Sequence, residues 1–279
     1  MKKSSIVKKG VILAAGLGTR FLPITKSVPK EMLPVLNKPV LQYIVEEMAD
    51  SGIKNITIVI SREKQAIKHY FTRDLRFEKE LKKCGKYDRI EGLVDLFKKV
   101  KFSFVYQERP LGNGHALLMA RGLIGKDPFV CSDADSIISG KIPAVKQLLE
   151  VHNQTSASVI GVQKITDKNM MTKYGNVYGE RTADKRIYKV KEFVEKPTLD
   201  AVTPLGLIVG GMRYVFTADI WPILLKQKKG RSGEIWLAEA ANTLARQKDF
   251  FAYEYEGKYL DTGNQDALLD AASFFKNKL

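Results

Sequence analysis

The stretch VILAAGLGTRFLPITKSVPKEMLPVLNKP, residues 11–39, decides how the rest of this 279-residue chain is read. It opens with an unbroken apolar run over 11–15, which predicts a strand covered on both faces of a parallel sheet. The chain then turns through Gly16-Leu17-Gly18-Thr19, where two glycines remove the Cβ atoms that would hold a ligand off the backbone amides. Phosphate oxygens fit such a turn. Arg20 follows at once and Lys30 lies within Pro29-Lys30-Glu31, so two cations can converge on an anion that the turn admits. Pro23, Pro29, Pro34 and Pro39 stiffen the connection. A P-loop would need Gly-Lys-Ser/Thr after the turn and a dinucleotide loop a third glycine, but those places hold Thr19-Arg20 and Phe21. On these residues alone the turn is either a phosphate site of another kind or a solvated basic loop.

Outward from this stretch, Val40, Leu41, Ile44, Val45 and Met48 recur at helical spacing until Asp50-Ser51-Gly52 stops the helix, and NITIVI at 55–60 supplies a second strand. This βαβ alternation predicts a doubly wound sheet whose ligand lies beyond the carboxyl ends of the strands. Residues 64–101 are charged and helical in pattern, with Leu75, Leu81, Leu93, Leu96 and Phe97 as apolar points. A third strand is expected at 102–106, followed by Gln107 and Pro110-Leu111-Gly112-Asn113-Gly114-His115-Ala116, where the next helix begins. A glutamine amide offers both a donor and an acceptor to the imide edge of uracil or thymine, which makes Gln107 a candidate base reader. Gly112 would let the backbone approach that base.

PFVCSDADSII, 128–138, reads as a short strand running into two aspartates. Carboxylates at a strand end call for a cation or a capping role, and Mg²⁺ takes one or two carboxylates plus substrate phosphates. Further on, a helix is expected at 142–152, strands at 157–162 and 208–216, and a terminal helix over about 265–275, with Asp261 before a Thr-Gly turn as its possible cap.

Composition fits a globular domain: 44% hydrophobic and 28% charged residues, with no apolar run of membrane-spanning length. The lysine-rich lead-in over 1–9 has no hydrophobic segment of its own, so a cytoplasmic protein without a membrane partner is expected. Cys84 and Cys131 show neither metal-ligand spacing nor a disulfide framework. The net charge of +15 suits a nucleic-acid binder or a protein that attracts a small polyanion. Because the basic residues are dispersed, with small clusters such as 226–231, and no nucleic-acid module accompanies them, no nucleic-acid partner is expected.

The ordered motifs (strand, GxGTR, PKEMLP, xKP, QxxPLG, VEKP, KYLDTG) resemble those of sugar-phosphate nucleotidyltransferases, specifically the bacterial UTP:glucose-1-phosphate uridylyltransferases. The resemblance covers the chain from Lys8 to the terminal helix, and HYFTRDLRFEKELKKCGKYDRIEGLVDL is similar to an insertion of that group. It implies an α/β fold with a Rossmann-like, doubly wound, mixed but mostly parallel sheet. One domain over 1–279 would divide into a nucleotide-binding half (8–140), a sugar-phosphate-binding half (141–263) and a C-terminal helix (264–279). The implied reaction joins UTP and glucose 1-phosphate to give UDP-glucose and pyrophosphate, with Mg²⁺ as cofactor, in a homo-oligomer, dimer or tetramer. Another nucleotide or sugar 1-phosphate, dTTP included, and a non-catalytic nucleotide-binding paralogue are the competing readings.

The resemblance also implies roles for residues. Ala14, Ala15, Gly16, Gly18, Thr19, Gln107 and Gly112 would bind the nucleotide, while Arg20, Lys30 and Lys196 would act in catalysis. Tyr174, Gly175, Glu195, Lys196 and either Gly210 or Gly211 would hold the sugar. Asp135 and Asp261 would hold the metal, with Asp133 as the alternative to Asp135. The chain departs from the family's pattern at Asn113 (leucine expected), Ser136 (a second acid), Trp236 (glutamine) and Ala238 (threonine), and its IVGGMRYVF segment carries one additional residue.

Overall fold

A computed structural model describes residues 6–230 and 233–278, so residues 1–5 of the basic lead-in and Arg231 of the 226–231 cluster lie outside the described residues. The first strand, β1 (Lys9–Leu13), starts earlier than the apolar run because the ladder is made by backbone groups and is indifferent to side-chain polarity. Lys9 pairs with Asn55 and Phe129, while its ammonium leaves the sheet to bind Asp127 at 2.8 Å and the Ile124 carbonyl at 2.9 Å. Ala14 adds one more ladder bond, to the Val59 carbonyl at 2.8 Å, before the glycine turn departs.

A small hairpin of β2 (Pro34–Val35) and β3 (Lys38–Pro39) leads into the helix Val40–Asp50, which buries Val40, Leu41, Ile44, Val45 and Met48 as its spacing predicts. Next comes β4 (Asn55–Ile60). The charged excursion is helical as its pattern predicts, in three helices, Gln65–Tyr70, Leu75–Lys83 and Glu91–Lys99. Asp74 caps the second by accepting from the Phe77 amide at 2.9 Å, and the Phe71 ring packs on Phe102 of β5 (Lys101–Tyr106). After the helix Asn113–Ile124 come β6 (Phe129–Asp133) and β7 (Ser136–Ser139), then the helix Ala144–Thr155 and β8 (Ser158–Lys164).

The remaining strands are β9 (Asn176–Arg181), β10 (Ile187–Val194), β11 (Leu207–Ile208), β12 (Arg213–Phe216), β13 (Phe250–Glu254) and β14 (Lys258–Asp261), followed by the helix Gln265–Lys276. The single strand expected over 208–216 is therefore two. The chain breaks at Gly210-Gly211, where Gly211 takes a φ of 69°, and passes from β11, which pairs with β9 and β8, to β12, which lies between β8 and β6.

One ten-stranded sheet has the order β11-β9-β10-β13-β8-β12-β6-β1-β4-β5. The strands β5, β4, β1, β6, β8, β13 and β9 run one way and β12, β10 and β11 run against them, so the sheet is mixed as expected, but only four of its ten pairings are parallel, because the reversed strands sit between strands of the common direction. Alternate residues of its strands feed opposite faces: Ile12 and Ile58 join the core on one side, Val11 and Val59 that on the other. A separate ribbon, β7 against β14, sets Asp261 opposite Ser136. That register carries the C-terminal Asp261 to the end of β6. Among the described residues, no helix is long and apolar enough to cross a membrane.

Candidate active site

A cleft of about 1480 Å³ opens beyond the carboxyl ends of β1 and β6, where the doubly wound topology places ligands. Its floor begins with the glycine turn. Ala15, Gly16, Gly18 and Thr19 line it, together with Arg20 and Lys30. Gly18 adopts a φ of 69° and its carbonyl accepts from the Thr25 hydroxyl at 2.9 Å, which folds the following segment back so that Lys30 lies against the turn. Ala14 is different. It is buried, its amide is given to Val59, and its carbonyl accepts from Lys64 Nζ at 2.8 Å, so it offers a nucleotide no backbone group.

The short helical turn Lys30–Met32 directs Lys30 into the cleft and Glu31 beneath it. Lys30 forms an ion pair with Asp135, and Glu31, only 1% exposed, is clasped by Lys64 at 2.7 and 2.8 Å. Burial works to discharge Lys30, but Asp135 and Glu31 outweigh it and hold its pKa above the usual value. Lys64 lacks that excess of anions, and burial keeps its pKa low.

Arg20, Asp135 and Asp261 meet around Gly263. Arg20 Nη1 donates to the Gly263 carbonyl at 3.1 Å, and the Gly263 amide donates to Asp261 Oδ1 at 2.8 Å. The Asp135 carbonyl accepts from the Thr262 hydroxyl at 2.7 Å, which pins the β14 end to the β6 end. A Cβ on Gly263 would lie 3.0 Å from Asp261 Oδ1, 3.1 Å from Arg20 Nη1 and 3.5 Å from Asp135 Oδ2. The two carboxylates thus face one small space. Capping of the terminal helix falls instead to Asn264, whose side chain accepts from the Ala267 amide at 3.0 Å.

Asp133 also borders the cleft, yet its oxygens are committed. Oδ1 accepts from Arg213 at 3.1 Å and from the Ser136 hydroxyl, and Oδ2 accepts from the Met212 amide at 3.3 Å. Burial raises its pKa to about 6, opposed by Arg213. Arg213 itself is fully buried and also binds Glu47, Ser132 and Ser136. Ser136, at the position where a second acid was expected, therefore belongs to the buried Arg213 cluster and is turned from the Asp135–Asp261 space. Among the described residues, no three His, Cys, Asp or Glu side chains are grouped as a metal site. Two carboxylates suit an ion whose other ligands are substrate phosphates and water.

The candidate base reader sits where β5 ends. Gln107 is 6% exposed, and its Nε2 faces the Gly112 carbonyl at 2.9 Å and His115 Nδ1 at 3.0 Å. A carbonyl accepts only, so this contact orients the amide: its NH₂ is used internally, and Oε1 is the atom offered to a ligand. Gln107 thus presents one acceptor, not the donor–acceptor pair its side chain allows. Gly112 has a φ of 91°, and an added Cβ would lie 2.6 Å from the Ile235 carbonyl. The loop is zipped to the following segment by Gly114 N to Ile235 O at 2.9 Å and Ile235 N to Leu111 O at 2.8 Å. Asn113 completes the seam by accepting from the Leu237 amide at 2.8 Å, which caps the helix Leu237–Gln247. The departure from leucine at 113 therefore serves the helix start.

At the other end of the cleft stand Tyr174, Glu195 and Lys196. Burial raises the Glu195 pKa, with Lys196 opposing. Lys196 has a φ of 43° although a proline follows, a strained conformation of the kind concentrated at functional sites. Gly175 lies against Glu195 Oε2, where a Cβ would come within 3.0 Å. Gly210 and Gly211 face away: the Gly210 carbonyl accepts from the Tyr255 hydroxyl, and Gly211 packs on Tyr259 and Ile138. The terminal helix supplies a wall that sequence reasoning missed, including Asp266, Asp270 and Phe274, with Lys258 over the Phe274 ring at 4.7 Å. Helical periodicity marked that helix but not its neighbour in space.

Residues 9–278 match the family model described as Nucleotidyl transferase. The chain belongs to the nucleotidyl transferase family. It is 40% identical to a UTP–glucose-1-phosphate uridylyltransferase of Bacillus subtilis (strain 168), over 95% of this chain and 88% of that protein. It is 42% identical to UTP–glucose-1-phosphate uridylyltransferase 2 of Staphylococcus saprophyticus, over 93% and 88% of the two chains. Among solved structures, a UDP-glucose pyrophosphorylase complexed with UDP-glucose superposes with a TM-score of 0.88 at 35% identity, covering 98% of this chain and 100% of that one. A UTP-bound enzyme of the same kind from Acinetobacter baumannii gives 0.89 at 31% identity, covering 98% and 94%. This nucleotidyl transferase is an enzyme that acts on nucleotide and sugar-phosphate substrates.

Proposed function

We propose that the chain transfers a uridylyl group from UTP to glucose 1-phosphate, giving UDP-glucose and pyrophosphate. The observation that carries this reading is the placement of Arg20, Lys30, Asp135 and Asp261 between the Gln107 loop and the Glu195–Lys196 end of one cleft. In this reading the uracil N3–H donates to Gln107 Oε1, the triphosphate lies on the glycine turn, and the sugar hydroxyls donate to Glu195. Lys196 holds the phosphate of the sugar. One of its oxygens attacks the α-phosphorus in line, the bond from that phosphorus to the bridging oxygen breaks, and pyrophosphate leaves with the electron pair. No side-chain base is needed, because a phosphate monoester with a second pKa of about 6 is already ionised at neutral pH. What the residues supply is position and charge: Arg20 and Lys30 compensate the oxygens that gain charge as the bond breaks.

Asp135 and Asp261 would hold Mg²⁺, which supplies neutralisation of phosphate charge and alignment of the α-phosphoryl. The donor set fits, being two hard carboxylates open to the cleft, while Asp133 is spent on Arg213. The proposal includes a cytoplasmic location and a homo-oligomer, the latter tested by sedimentation of the purified protein. Specificity is tested by competition: UTP and glucose 1-phosphate should be consumed in preference to dTTP and to other hexose 1-phosphates. Faster turnover of dTTP would reassign the base pocket.

A further inference from the structure

We propose that Lys64 is a positioning residue for this reaction: bound to Glu31 and to the Ala14 carbonyl, it fixes the glycine turn and Lys30 at the spacing the triphosphate requires. The inference rests on the uridylyl-transfer reading for its turnover assay. Lys64 belongs to the loop after β4 and does not line the cleft. A lysine before a short helix ordinarily reaches into solvent, yet this one is 7% exposed and turned inward. Its ammonium has three protons and three acceptors, the Ala14 carbonyl at 2.8 Å and the two Glu31 oxygens at 2.7 and 2.8 Å.

Each acceptor is adjacent to a working part. Ala14 is the last ordered ladder residue before the glycine turn, and Glu31 directly follows Lys30. The same ammonium therefore ties three segments that are distant in sequence, the strand end, the Pro29-Lys30-Glu31 turn and the loop after β4. It also sets the balance of charge around Lys30, which lies between Glu31 and Asp135. With Lys64 in place the charge of Glu31 is taken up, and Lys30 is left for Asp135 and the cleft. Without it, the strand end at Ala14 and the turn that carries Lys30 lose their common anchor.

Stability alone does not account for the arrangement. Desolvating an ion pair offsets most of its attraction, and apolar residues of similar volume commonly serve a core as well or better. Geometry is what a buried pair with every donor used provides. The reactive groups of a transfer reaction are sensitive to it, since a displacement of about 1 Å can lower turnover about 100-fold.

The test uses Lys64→Met and the double variant Lys64→Met/Glu31→Gln, with turnover, melting temperature and UTP affinity by calorimetry measured for each beside the unaltered protein. Lys64→Met is expected to lower both kcat and melting temperature, the former by about 10- to 100-fold. The double variant, which buries no unpaired charge, should recover the melting temperature and keep the loss of kcat. Recovery of kcat to within about 2-fold together with stability would make Lys64 a purely structural residue and overturn the proposal. If the unaltered protein shows no turnover, the functional reading fails on its own account. UTP affinity still decides the role of Lys64: weakening in both variants supports it, and unchanged affinity overturns it.

Discussion

Lys30 and Asp135 are bonded to each other across the floor of the cleft, the first on the short helical turn just before β2 and the second just beyond β6. In the proposed mechanism Lys30 serves phosphate oxygens and Asp135 a metal, so in this pair each would hold the other's place until a nucleotide with its ion arrives. Lys30→Met should lower kcat by about 100- to 1000-fold, the scale of losing one transition-state contact. The same variant should bind Mn²⁺, used as a spectroscopic stand-in for Mg²⁺, more tightly in the absence of nucleotide, because Asp135 loses its competing ammonium. Paramagnetic relaxation titration measures this.

The two aspartates around residue 134 should separate cleanly. Asp135→Asn is expected to abolish most metal-dependent turnover, whereas Asp133→Asn should leave the Mg²⁺ concentration giving half-maximal rate within about 2-fold of its original value. Asp133 already serves Arg213, Ser136 and the Met212 amide. A metal titration of turnover in both variants checks the assignment.

Gly112→Ala should damage the base pocket more than the chemistry. The added Cβ would meet the Ile235 carbonyl at 2.6 Å in a backbone conformation of φ 91°. Such strain amounts to about 1–3 kcal/mol, so opening of the seam should raise KM for UTP about 10-fold or more, with a smaller change in kcat. Steady-state kinetics at varied UTP gives both.

Glu195 should give sugar binding a pH dependence. Burial raises its pKa, so it takes up a proton at a pH where an exposed glutamate remains ionised. KM for glucose 1-phosphate should therefore rise as pH falls toward that raised pKa and level off above it. Ionisation of the sugar phosphate itself, near a pKa of about 6, contributes to the same profile. Glu195→Gln separates the two, because only the phosphate's part should remain. The sign for stability is opposite: a carboxyl whose folded pKa is raised adds stability in acid and loses that contribution as pH rises through the folded value. Urea denaturation across the same pH range measures it.

The first half of the fold was legible because β1 and β4 are buried on both faces and its first long helix on one. The 55–60 run is β4 to the residue, and the spacing from Val40 to Met48 gave the face that the helix Val40–Asp50 buries. The place of Arg20 and Lys30 in the cleft was legible too, since both lie near the turn in sequence. Long-range pairing was not. Nothing near Asp261 announces that it will stand opposite Ser136, and nothing near Asp133 that Arg213 will take its carboxylate. Lys64 reads as one surface lysine among many, because burial of a charge depends on a partner, Glu31, from a segment distant in sequence. The break at Gly210-Gly211 was hidden for the opposite reason: IVGGMRYVF has the composition of a strand throughout, and only the sheet order separates its ends.

Release of pyrophosphate from UTP and glucose 1-phosphate in the presence of Mg²⁺, followed by a coupled phosphate assay, tests the central claim most directly. Stoichiometric pyrophosphate and UDP-glucose, dependent on both substrates and on the metal, is the predicted result. No release above a blank from protein that still binds UTP would contradict it.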